Sequence, residues 1–143
     1  MVILVLLFAV MVALVPALIW LLFFLKEDVH PEPQKLIIYT FTVGALVSVP
    51  VLAIQLIFQA LVPSFITSAI ILIIGLALIE EVFKFLAAFW SVNGNPNFDE
   101  PIDAMIYMIA AGLGFATVEN IFIVINTLNV AGSLALGSAI STL

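Results

Sequence analysis

Fourteen consecutive residues, ALIEEVFKFLAAFW (77–90), hold the most chemically suggestive pattern in the chain. Glu80, Glu81 and Lys84 stand inside a run that is otherwise as apolar as a membrane helix. Residues three and four apart are neighbours on a helix, so Lys84 shares one broad face with both carboxylates. At a rise of 1.5 Å per residue, Glu80 lies about 16 Å in from Ser91, near mid-bilayer. One glutamate with one lysine would neutralise itself and need no function. Two adjacent carboxylates with one lysine leave an acid over, and ionisable groups inside a membrane mark functional sites by default. A second candidate, Glu119 with Asn120 beside it, lies deep in a later apolar run with nothing polar nearby in sequence.

Carboxylates in low dielectric hold protons more readily, and two near each other resist ionising together. One becomes a candidate base and the other an acid or proton store, while a lysine keeps at least one charged. Such a set can activate water for hydrolysis, bind a divalent cation or relay protons, and spacing alone leaves all three open. A metal on Glu80, Glu81 and Glu119 would have an all-oxygen shell, unlike the histidine-rich ligation usual for catalytic zinc.

Composition says what kind of element must position these groups. The chain has 143 residues, 66% of them hydrophobic and 8% charged, with a mean hydropathy of +1.41. A soluble domain of this size could not hide that much apolar surface. The fold class is therefore all-α: a polytopic transmembrane helix bundle in the cell membrane, with the lipid bilayer as its surroundings. Nucleic acid is excluded as a partner, because three Lys and Arg residues cannot neutralise a phosphate backbone. The absence of cysteine excludes disulfides and thiolate metal sites. Nothing in the sequence specifies an oligomeric state.

The apolar runs predict one domain (1–143) with four spans at about 2–25, 36–62, 65–90 and 102–127, and a partial helix at 133–143 that starts a fifth. The first run lacks a basic n-region and an A-x-A site, so it reads as a span rather than a signal peptide. Pro50 predicts a kink in the second. Ser64 is a candidate N-cap for the third. The loop SVNGNPNFDEP (91–101) precludes a continuous helix; Asp99 or Glu100 is a candidate cap for the next helix, whose dipole Asp99, Glu100 and Asp103 suit, and Pro101 suits its first turn. His30 reads as a solvated loop residue. Tyr107 can bond to Asp103 or anchor at the membrane interface, the commoner role. Lys26 and Lys35 place the 26–35 loop in the cytoplasm by the positive-inside rule. Gly112, Ala116 and Glu119 form a stripe that would let another helix approach beside a carboxylate. Measured from the shared loop, Glu119 should sit roughly 8–10 Å deeper than Glu80. Direct contact then requires a tilt, a kink near Gly112–Gly114 or a bridging water.

Three stretches, EEVFK (80–84), FDEPIDAMIY (98–107) and GLGFATVEN (112–120), resemble in order the motifs of the PrsW family of intramembrane proteases. That family belongs to a superfamily with the CAAX prenyl endopeptidases and bacterial Abi proteins, and the resemblance covers roughly residues 75–125. Glu80, Glu81 and Lys84 match its Glu-Glu-x-x-Lys motif, and Phe115 and Glu119 match its Phe-x-x-x-Glu motif. The resemblance implies that Glu80 or Glu81 activates the attacking water and that Glu119 helps to hold it or a metal. Lys84, Asp103, Phe115 and Asn120 are then supporting residues. It implies either a divalent metal such as zinc or the metal-free glutamate mechanism argued for the CAAX branch. The implied substrates are membrane-anchored proteins such as anti-sigma factors. The family also places a catalytic histidine on a later helix, and the only histidine here is His30. C-terminal truncation is therefore expected, and an inactive relative acting as a membrane scaffold or binding protein is the alternative. A proton or cation carrier ranks last, because the inverted repeats of many transporters are absent from the sequence.

Overall fold

The computed structural model describes residues 2–26, 32–62 and 66–141. It has four helices: α1 (Val2–Lys26), α2 (Gln34–Leu61), α3 (Ile66–Val92) and α4 (Pro101–Ser141). Helices are what such apolar runs must form, because in lipid each backbone N–H and C=O needs a partner within its own segment. Among the described residues, α1, α2 and α4 are long and apolar enough to cross a membrane. α3 matches them in length at 27 residues and differs by carrying Glu80, Glu81 and Lys84. Large apolar side chains cover the outside; Leu4, Ile38, Leu56 and Ile73 are all more than 60% exposed. Hydrocarbon is the solvent that suits such a surface. This is a helical membrane bundle.

The segments expected at 102–127 and from 133 onward form one helix as far as Ser141. α4 runs for 41 residues through Gly132 and Gly137. A glycine within a helix costs only about 1 kcal/mol relative to alanine, and no proline interrupts the run. α2 likewise continues through Pro50, just after Ser48, whose Oγ donates to the Ala45 carbonyl at 2.7 Å. His30 and Ser64 lie outside the described residues.

α4 is the central element and packs against each of the other three helices. α1 meets α4 alone among the described helices, through a stripe of buried residues at spacing four: Ala9, Ala13, Ala17 and Leu21. α2 crosses α4 with the two backbones touching. A Cβ on Gly114 would stand 2.0 Å from the Phe41 carbonyl oxygen, and one on Gly44 would stand 2.1 Å from that of Ala111. Only glycine allows that approach. The expected stripe through Gly112 is corrected accordingly: nothing among the described residues lies within 4 Å of a Cβ placed there. Two residues rotate a helix by about 200°, so Gly112 faces away from the contact that Gly114 makes.

Leu21, Ile37, Val92, Tyr107 and Ala110 form one buried cluster. It joins the end of α1, the start of α2, the end of α3 and the start of α4. The connectors before α2 and before α4 therefore lie on the same side of the bundle. Tyr107 ties them together. It is completely buried, and its hydroxyl donates to Glu32 Oε2. The expected pairing with Asp103 is replaced by one with Glu32, 75 residues away in the other connector.

Candidate active site

The site begins with the way α4 is started. After α3, Gly94 turns the chain with φ +78°, a conformation natural to glycine. Asn95 Oδ1 then accepts from the Asn97 backbone N–H at 3.0 Å, closing a local turn. At the head of α4, Asp103 Oδ2 accepts from the backbone N–H groups of Asp99 at 3.0 Å and Glu100 at 2.8 Å. This is the acidic half of a capping box, in which the third helical residue reaches back to the cap. Asp103 is buried in this task, and it lies about 24 Å along the helix from Glu119.

That connector sets the register between α3 and α4. Val92 packs in one cluster with Tyr107, and Ala88 in another with Ala111. The Lys84 ammonium lies 5.0 Å from the centre of the Phe115 ring. The next position in this register pairs Glu80 on α3 with Glu119 on α4. Each pair lies four residues from the next on both helices, so a single antiparallel seam runs from the connector to the carboxylates. Val92 ends α3, yet its partner is six residues into α4, so α4 starts about 9 Å farther out. This offset cancels the depth difference read from the sequence. No kink at Gly112–Gly114 is required. The small side chains Ala87, Ala88 and Ala111 hold the seam close midway.

Adjacent residues on a helix point about 100° apart, so Glu80 and Glu81 cannot both face α4. Glu80 faces inward, with its side chain 28% exposed, whereas that of Glu81 is 69% exposed. Lys84, 18% exposed, bridges the two. Its Nζ is 2.9 Å from Glu81 Oε1 and 3.5 Å from Glu80 Oε2. The ammonium also rests on the Phe115 ring, the geometry of a cation–π contact. The second oxygen of Glu80 is engaged from α2, where Gln55 Nε2 donates to Oε1 at 2.7 Å.

Of the residues singled out in the sequence, Glu80, Glu81, Lys84, Phe115 and Glu119 come together. Asn120 is exposed on α4, and Asp103 caps that helix far from the carboxylates. Gln55 escaped the sequence reading. A lone amide in an apolar span is the signal that could have found it, since an amide in hydrocarbon demands a partner.

A metal shared by the carboxylates does not fit the described residues. No group of three or more His, Cys, Asp or Glu side chains among them is placed to hold an ion. Lys84 fills the position between Glu80 and Glu81 that a shared cation would need, and Gln55 takes the other Glu80 oxygen.

Comparison with known proteins bears on what such a site does. A family model described as the PrsW family intramembrane metalloprotease matches residues 32–143. A protein named Protease PrsW from Geobacillus kaustophilus (strain HTA426) is 35% identical over 101 residues, 69% of this chain and 44% of that protein. Its namesake from Oceanobacillus iheyensis is 34% identical over 112 residues, 77% of this chain and 51% of that protein. The one from Bacillus subtilis (strain 168) is 30% identical over 110 residues, 72% and 47% of the respective chains. The chain spans about half the length of these curated relatives. No solved structure matches it.

Proposed function

The chain belongs to the PrsW family of membrane-embedded peptidases, and from that premise we propose that it carries the water-activating part of an intramembrane protease site. The observation that supports this reading is the register of the α3–α4 seam, which sets Glu80 level with Glu119, beside a lysine held by Glu81 and Phe115. A carboxylate pair can share one proton, so that one member accepts from water while the other donates to a substrate oxygen. Glu80 is the base. It takes a proton from a water molecule as the water oxygen attacks the scissile carbonyl carbon. The tetrahedral intermediate collapses as the C–N bond breaks, and the same proton passes to the leaving nitrogen. The products are a carboxyl and an amine. A base in this position contributes about 10²–10⁴-fold in rate.

Lys84 and Phe115 keep the carboxylates oriented, and Glu81 anchors Lys84. A zinc or other divalent ion, as the family description implies, would need ligands additional to those of the described residues. The substrate class is a membrane-anchored protein, such as an anti-sigma factor, whose scissile bond enters the bilayer beside the seam. The two connectors on the Tyr107 side face the cytoplasm, because Lys26 and Lys35 flank one of them.

Cleavage of a single-span substrate in proteoliposomes tests the reading. The unsubstituted protein should release two fragments, and Glu119→Gln should lower the rate by at least about tenfold. Equal rates for the two would sink the carboxylate pair.

A further inference from the structure

Among the described residues, Gln55 is the side chain of α2 that hydrogen-bonds to Glu80. It sits in the second half of α2, is 8% exposed, and belongs to neither glutamate motif. An ionised carboxylate only accepts hydrogen bonds, so the amide must present its nitrogen, and the 2.7 Å separation is that of a charge-assisted bond. The Lys84 contact on the other oxygen is longer, at 3.5 Å, and Lys84 bonds more closely to Glu81. Gln55 is therefore the tighter of the two restraints on Glu80.

We propose that Gln55 is a positioning residue, fixing the rotamer of Glu80 so that its carboxylate faces Glu119 across the seam. The neighbourhood explains how α2 can deliver it. Gly75 on α3 meets the Phe58 ring so closely that a Cβ there would lie 2.3 Å from Phe58 Cζ. Phe58 and Gln55 are three residues apart on one face of α2, so the closeness at Gly75 brings the amide within reach of Glu80. The exposed Gln59, one turn farther on, has no such role. Substrate does not touch Gln55; its effect passes through Glu80. This role rests on the protease reading above.

The test uses the full chain in lipid and two readouts. Gln55→Met keeps the length of the side chain and removes the amide, and with it the donor to Glu80. In the cleavage assay it should lower kcat by about ten- to a hundredfold, the effect of losing one hydrogen bond to a charged group, with KM within about twofold. Gln59→Met should change neither. The second readout is unfolding in detergent across the cycle of Gln55→Met, Glu80→Met and the double variant. The double variant should be more stable than the sum of the single losses predicts, because replacing both partners removes the unsatisfied group. Additive unfolding losses would remove the contact and overturn the proposal. Coupled unfolding with an unchanged kcat would overturn the positioning role and leave the protease reading standing. Absence of cleavage in the unsubstituted protein overturns the protease reading, and the positioning role with it; that result is seen before any variant is made.

Discussion

Two glycines two residues apart should respond in opposite directions to the same substitution. Gly114 lies where α4 meets the α2 backbone, and an added Cβ would stand 2.0 Å from the Phe41 carbonyl oxygen. Real Cβ contacts essentially never fall below 3.0 Å, so Gly114→Ala must push the helices apart by at least the difference, about 1 Å. The obstacle is backbone and cannot swing aside. Overpacking of this kind costs about 1–3 kcal/mol, which exceeds the roughly 1 kcal/mol that alanine gains over glycine in a helix. Gly112→Ala meets nothing within 4 Å and should keep that gain, stabilising by about 0.5–1 kcal/mol. Gly114 also precedes Phe115, so the displacement reaches the ring on which Lys84 rests. A misplacement of about 1 Å can cost on the order of 10²-fold in rate. Unfolding in bicelles measures the stability difference, and substrate cleavage measures the rate. If Gly114→Ala were as stable as Gly112→Ala, the close α2–α4 crossing would be refuted.

Two further outcomes follow from the same packing. Asp103→Ala removes the acceptor for two backbone N–H groups at the head of α4; it should destabilise by about 1 kcal/mol, and amide exchange should rise at Asp99 and Glu100. Lys84→Met leaves Glu80 and Glu81 without their cation. Breaking a fully buried pair costs about 3–5 kcal/mol, and the exposure of Glu81 reduces this to roughly 1–2 kcal/mol, measured by unfolding in the same bicelles.

Much of the fold was legible in the residues. Apolar runs of more than 20 residues specify membrane helices, and the charges at Glu80, Glu81 and Lys84 are conspicuous because hydrocarbon makes them costly. That the acids before and within the first turn of α4 serve its N-terminus was legible too, but the cap expected at Asp99 or Glu100 is supplied by Asp103, which accepts from their backbone N–H groups. What stayed hidden was rotation and register. Gly112 and Gly114 look interchangeable in sequence, and only the position of α2 decides which of them is in contact. The level of Glu119 relative to Glu80 depends on how far the connector carries the start of α4, which turns on the conformation of Gly94 and the Asn95 turn. Helical rise alone could not supply it. The partners of Tyr107 and Glu80 are separated from them by 75 and 25 residues in sequence, and such pairings have no local signature.

The sharpest claim about the site is that Glu80, facing α4, is the base, while its neighbour Glu81 serves Lys84. Comparing Glu80→Gln with Glu81→Gln in the same cleavage assay tests it directly, since both variants remove one charge at adjacent positions with little change of shape. Glu80→Gln should lower kcat by at least about 10²-fold, and Glu81→Gln by less than about tenfold. Equal losses, or a greater loss for Glu81→Gln, would contradict it.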